Sequence, residues 1–213
     1  MSYVLEVLPA LLNGAVVTLQ VFFIVIVLSI PLGIVLAFLM QIKFKPLNWL
    51  LTLYVWIMRG TPLLLQLIFV YYVLPSVGIV FDRLPAAILA FTLNYAAYFA
   101  EIYRSGIESM PVGQYEAAEI LGYSKSQTFL HIILPQVIKR ILPSVTNEVI
   151  TLVKDTSLAF VIAVSEMFTI AKALASSQTS MVPYVAAGIF YYVFNFLVAW
   201  IMEKIEKHLS YYR

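Results

Sequence analysis

Charged residues interrupt this 213-residue chain rarely, and the gaps between them set the fold class. Residues 7–42 contain no Asp, Glu, Lys or Arg, an uncharged run of 36. Residues 60–81 form a run of 22, 84–100 one of 17, and 173–202 one of 30. A helix needs about 20 mostly apolar residues to cross the hydrocarbon of a bilayer. Each run can supply one crossing. A water-soluble domain carries about 25% charged residues. Here the figure is 11%, against 62% apolar. A soluble particle of this size cannot bury that much apolar surface. The composition also excludes disorder, collagen and coiled coil. The expected class is an all-α integral membrane protein of one domain, residues 1–213.

A fifth apolar stretch, 141–171, is interrupted by Glu148, Lys154, Asp155 and Glu166. It reads as a span broken near Lys154-Asp155-Thr156-Ser157. The expected spans are 13–40, 49–74, 84–104, 138–170 and 181–203. Arg59-Gly60-Thr61-Pro62 predicts a second break, because proline suits the first turn of a helix. Residues 47–58 would then lie along the inner surface.

Basic residues in short loops collect on the cytoplasmic side. With the N-terminus outside, ten of the thirteen fall inside: Lys43, Lys45, Arg59, Arg104, Lys125, Lys139, Arg140, Lys204, Lys207 and Arg213. Arg83 and Lys172 fall outside, and Lys154 lies within a span. The C-terminus is expected in the cytoplasm. The first apolar run reads as a span and not as a cleavable leader. It is too long for a leader's core, and Glu6 is the only charge before Lys43.

The inside loop, about 105–136, is long for a helix connection, and such loops are usually functional. Pro111 can open a helix, and Gln114 to Leu121 are good helix formers. Gly122 can stop that helix. Ser124 can cap a second one from Lys125 to about Leu134, with Pro135 ending it. Small Ala117 and Ala118 leave room for another protein to approach. The loop reads either as a docking element or as a surface loop packed on its own bundle.

Glu116-Ala117-Ala118, then Gly122, then Ile132, Leu134 and Pro135 resemble the EAA loop of ATP-binding-cassette importer permeases. Four further stretches are similar to the polar amino acid subfamily. They are Gly14 to Leu19, Arg59 to Gln66, Asn94 to Gly106, and Lys154 to Ala159. The resemblance runs from about residue 10 to 205. It implies a type I importer permease fold of five transmembrane helices with a cytoplasmic coupling helix. Tyr115, Glu116, Ala117, Ala118, Gly122, Leu134 and Pro135 would couple to the ATPase. Implied partners are a second permease, identical or a sister subunit, two ATP-binding subunits, an extracytoplasmic amino-acid-binding protein and the bilayer. ATP and Mg would be bound by the ATPase, with no cofactor in this chain.

The residues themselves agree in part. No G-x-x-x-x-G-K-[ST] phosphate loop is present. There is no cysteine, and His131 and His208 are far apart, so no metal cluster or Ser/His/Asp arrangement is visible. A net charge of +2 does not suggest nucleic-acid binding. The expectation is a non-catalytic subunit.

Charge within a span faces a bundle interior or aqueous cavity. Asn94, Tyr98 and Glu101 share a helical face and suit either interhelical hydrogen bonds or ligand contact. Glu101 can also simply pair with Arg104. Asn147, Glu148, Lys154, Asp155, Thr156 and Ser157 surround the break of the fourth span. Transporters place substrate sites at such breaks, and Thr156 and Ser157 can satisfy freed backbone groups. Tyr95 and Tyr98 are candidates to line a path. Tyr71, Tyr72, Tyr191 and Tyr192 read as interfacial aromatics. Gly14, Gly33, Gly60 and Gly188 permit close helix contact.

Four acidic candidates, Glu101, Glu148, Asp155 and Glu166, outnumber Lys154 within the spans. That excess favours a basic amino acid: arginine, lysine or histidine. Glutamine or another neutral polar amino acid is the alternative. From another class, a self-contained secondary transporter or channel would need midplane charges but not the long loop. A membrane enzyme would need a nucleophile–base pair, and none is visible.

Overall fold

A computed structural model describes residues 2–209, with side chains from residue 7 onward. Arg213 and the side chain of Glu6 lie outside the described residues. Every regular element among the described residues is helical.

Helix α1 runs Ser2–Leu39 through Pro9 and Pro31. At 1.5 Å per residue its 38 residues rise about 57 Å, more than one straight crossing requires. Its outward side is apolar, with Leu12, Val16, Phe23, Val27 and Val35 all exposed. Helices α2 (Lys45–Gly60) and α3 (Leu63–Ile68) meet at the expected break. The chain turns by 109° there. A π-helical turn, Phe69–Val73, and a 3-10 turn, Leu74–Val77, continue α3.

Helix α4, Arg83–Glu108, is the centre of the bundle, packing on α1, α2, α3 and a later helix, α7 (Leu134–Asp155). Twelve of its 26 residues are buried, among them Ala86, Ala90, Ala96 and Ala100. Small side chains let the backbones approach closely. At Gly33 of α1 an added Cβ would lie 2.6 Å from Phe99 Cβ, and at Gly14 3.0 Å from the Met167 Cα. Gly60 and Gly188 have nothing within 4 Å, so the expected close contact is absent at those two positions.

The loop after α4 folds as α5, Val112–Ile120, and the three-residue α6, Lys125–Gln127. Gly122 takes a left-handed φ of +79° between them, a backbone that favours glycine. Ser124 and Gln127 form a reciprocal capping box. The expected stop at Pro135 does not occur. A π-helical turn, Thr128–Ile133, leads directly into α7, Leu134–Asp155. Proline lacks an N–H and its ring clashes with the carbonyl one turn back. The wider π turn immediately before Pro135 relieves both constraints, and the helix continues.

Helix α7 ends at Asp155 in a 3-10 turn, Thr156–Ile162, as the predicted break requires. Thr156 Oγ1 donates to the Val153 carbonyl at 2.8 Å and Ser157 Oγ to that of Lys154 at 2.7 Å. Helix α8, Met167–Gln178, follows after a 55° bend, and α9, Val182–His208, closes the chain. Among the described residues, α1 and α9 are each long and apolar enough to cross a membrane. The bent α2–α3 and α7–α8 pairs bring that number to four if each is one span. The central α4 carries the buried Asn94 and Tyr95 and the half-buried Tyr98 and Glu101.

Glu166 is fully buried and caps α8. Its carboxylate accepts from Phe168 N at 2.7 Å, Thr169 N at 2.6 Å and the Tyr191 hydroxyl at 2.8 Å. Thr18 Oγ1 accepts from Met167 N at 3.1 Å alongside. Glu166 is therefore occupied as a cap and, contrary to expectation, does not face a cavity as an ammonium partner. Tyr191 points into this node and not to an interface.

Candidate functional site

Pro62 explains how the site is organised. Helix α2 ends at Gly60, Thr61 is extended and Pro62 has no N–H, so the Met58 carbonyl in the last turn lacks a helical donor. Side chains supply what the backbone cannot. Asn94 Nδ2 donates to Met58 O at 2.8 Å, and Gln66 Nε2 donates to it at 3.0 Å. Asn94 Nδ2 also donates to Gln66 Oε1 at 2.9 Å, and Gln66 Nε2 to Thr61 Oγ1 at 2.8 Å. Tyr54 adds a 2.6 Å bond from its hydroxyl to Leu93 O. The α2–α3 corner is thereby fastened to the middle of α4.

Helix α7 approaches the same corner. Glu148, Thr151 and Asp155 fall at i, i+3 and i+7, one face of the helix. The buried Tyr95 hydroxyl donates to Asp155 Oδ2 at 2.7 Å. Corner, α4 and α7 enclose a cavity of about 300 Å³ lined by Thr61, Pro62, Leu63, Asn94, Tyr95, Tyr98, Glu148, Thr151 and Asp155. Two carboxylates line it, and no Lys or Arg does. Arg59 stands outside this lining, 5.4 Å from the Tyr98 ring centroid.

The structure thus brings together Asn94, Tyr95, Tyr98, Glu148 and Asp155 of the residues read as a substrate path. It separates the others. Glu101 faces Arg104 at 2.7 Å and Arg59 at 3.7 Å, so it belongs to an ion-pair group. Asn147 and Lys154 are exposed on an adjoining strip of α7 and do not line the cavity. Thr156 is buried, and it and Ser157 are bound to the backbone of the break. Gln66, Thr61 and Thr151 were not singled out from sequence. Gln66 could have been: a proline opening a helix leaves a carbonyl that needs a nearby donor.

The loop presents a different surface. Tyr115, Glu116 and Ala117 are exposed, while Ala118 is 1% exposed. Ala118 is small because it packs within its own chain, not to admit a partner. Val112, Ile120 and Leu121 on or beside α5 are 69%, 86% and 73% exposed. Apolar exposure of that kind marks a contact surface. Leu134 and Pro135 are half-buried at the start of α7.

Residues 29–211 match the family described as binding-protein-dependent transport system inner membrane component. The chain belongs to this family. The permease is 36% identical over 205 residues to the arginine transport system permease protein ArtQ of Bacillus subtilis, covering 95% of this chain and 94% of that one. It is 35% identical to the L-cystine permease protein TcyB of the same organism, over 96% of this chain and 88% of that. It is 38% identical to the octopine permease protein OccM of Rhizobium radiobacter, at the same coverage of 96% and 88%. A solved amino acid ABC transporter with histidines superposes with a TM-score of 0.90 at 29% identity, covering 97% of both chains. The inward-facing MetNI methionine transporter shares the fold, with a TM-score of 0.74 at 19% identity and coverage of 94% and 96%. This permease is therefore the non-catalytic membrane subunit of an ATP-driven amino-acid importer. Such a subunit works with a second permease chain, ATPase subunits and a substrate-binding protein. Among the described residues, no cluster of His, Asp or Glu could hold a metal ion.

Proposed function

We propose that this permease passes basic amino acids, with arginine, lysine and histidine as the class. The observation that supports this reading is the cavity between the α2–α3 corner, α4 and α7. Its charged lining is Glu148 and Asp155, with no basic side chain. A guanidinium or ammonium group would be attracted there, and an additional carboxylate repelled. One relative is named for arginine, which agrees. Others are named for glutamine, so a neutral polar substrate is the competing outcome.

Five spans are proposed, on α1, the α2–α3 corner, α4, the broken α7–α8 segment and α9. The N-terminus is outside and the C-terminus inside. Two permease copies, identical or sister subunits, would form the path. The loop 111–135 would engage the ATPase through Tyr115, Glu116, Ala117 and Gly122, with Ala118, Leu134 and Pro135 as its supports.

Uptake of labelled arginine, lysine, histidine, glutamine and glutamate into proteoliposomes holding the full complex tests the substrate class. Cationic uptake should exceed glutamate uptake. Glu148→Gln or Asp155→Asn should depress cationic uptake at least about fivefold more than glutamine uptake, the order expected for one charge-assisted contact. Equal glutamate transport with no charge-selective effect overturns the reading.

A further inference from the structure

The exposed side of α7 is polar along most of its length. Arg140, Ser144, Asn147, Thr151 and Lys154 follow at spacings of four and three, so they form one strip. Four of the five are exposed and Thr151 is half-buried. The opposite side carries the buried Val149, Leu152 and Val153. The strip covers about 21 Å of helical rise. Hydrocarbon does not tolerate a polar strip of that length, so it faces water or protein.

The two ends of this helix differ in charge. Its outer half contributes Glu148, Thr151 and Asp155 to the acidic cavity. Its inner end lines a second, larger cavity of about 770 Å³ with His131, Gln136, Lys139, Arg140, Pro143 and the apolar Met110, Ile132 and Pro135. No Asp or Glu lines this groove. Arg140 is held in place, its Nη1 donating to Ser109 O at 2.6 Å and to Ser109 Oγ at 3.0 Å. Gln136 Nε2 donates to Ile132 O at 2.7 Å and to Gln114 Oε1 at 3.1 Å. Only five positions, roughly 8 Å of rise, take the helix from Pro143 in one lining to Glu148 in the other.

We propose that this basic groove is a second amino-acid site, on the cytoplasmic side, that takes the α-carboxylate. The acidic cavity attracts the cationic end of a substrate, and the groove one step inward attracts the opposite end. An amino acid leaving the cavity passes the groove, and one already inside the cell occupies it. Occupancy there slows the next release, so uptake falls as internal substrate accumulates. The proposal rests on the basic-substrate reading for the identity of the amino acid, but the groove itself reads only a carboxylate.

The test uses proteoliposomes of the whole complex with ATP enclosed. They are preloaded with unlabelled arginine or with agmatine, which keeps the guanidinium and lacks the carboxylate. Uptake of labelled arginine is compared with that into vesicles holding ATP alone. Enclosed arginine at millimolar concentration should slow initial uptake about threefold or more, and agmatine should not. Enclosed glutamine should slow it as arginine does, because it carries the same carboxylate. Arg140→Gln and, separately, the exposed His131→Gln should weaken inhibition by arginine, each normalised to its own empty-vesicle rate. Arg140→Lys should retain it. Equal inhibition by agmatine and arginine, or no inhibition by either, overturns the proposal without needing any variant. Failure of the basic-substrate reading would show differently, as glutamate uptake equal to arginine uptake into empty vesicles.

Discussion

The Tyr95 hydroxyl donates to Asp155 Oδ2 at 2.7 Å, joining the centre of α4 to the last turn of α7. Tyr95 is 2% exposed, so this bond forms where water competes poorly. It holds one cavity carboxylate at the point where α7 gives way to the 3-10 turn. Tyr95→Phe removes the donor and keeps the ring. Hydrogen bonds to charged groups contribute roughly 1.5–3 kcal/mol. The variant should assemble, lose a few degrees in thermal midpoint, and show an arginine KM raised severalfold. Unchanged KM and midpoint would mean that the bond neither orders the carboxylate nor supports the bundle.

Close packing of α1 on α4 makes a second expectation. A Cβ at Gly33 would lie 2.6 Å from Phe99 Cβ, while one at Gly60 meets nothing within 4 Å. Gly33→Ala must push the two helices apart, and overpacking of this kind costs about 1–3 kcal/mol. Gly60→Ala sits at a helix end and should be neutral or slightly stabilising. Fluorescence-detected thermal unfolding of the purified complex measures both. A Gly33→Ala midpoint equal to wild type would show that the α1–α4 contact is looser than described.

At Gly122 the backbone lies in the left-handed region, with a φ of +79°. Gly122→Leu adds a strain of about 1–2 kcal/mol at the turn after α5. The bundle core lies elsewhere, so the isolated permease should keep its thermal midpoint. Retention of the ATPase during purification, and transport per ATP hydrolysed, should both fall. Wild-type assembly and coupling in this variant would remove the loop from its proposed role.

The chain contains no cysteine, so single thiols report topology without background. Ser76 and Ser124 are both exposed. In sealed right-side-out vesicles, an impermeant maleimide should label Ser76→Cys and spare Ser124→Cys. The opposite pattern would reverse the proposed orientation.

Much of the architecture was legible because hydropathy and backbone chemistry act locally. Uncharged runs marked the apolar segments, Pro62 marked the α2–α3 break, and Lys154 to Ser157 marked the end of α7. Gly122 and Ser124 placed the turns of the loop. These signals need only the length of a helix and the hydrogen-bonding habits of single residues. The failures were of another kind. Pro135 was expected to end a helix, yet a π turn over the preceding residues carried the chain past it. Ala118 looked open to a partner, but its own chain covers it.

Pairing was decided by tertiary structure alone. Four acidic residues look equivalent in the sequence. Glu166 became a cap because Phe168, Thr169 and Tyr191 converge on it, and Glu101 became an ion-pair partner because Arg59 and Arg104 lie beside it. Glu148 and Asp155 came to line a cavity because α4 and the Pro62 corner stand opposite their face of α7. Asn94 reached Met58 across 36 residues to supply a donor that the end of α2 had removed. A sequence states which groups are costly to bury in a membrane. Which partner offsets that cost depends on helices far apart in the chain, and only their packing brings those partners within 3 Å.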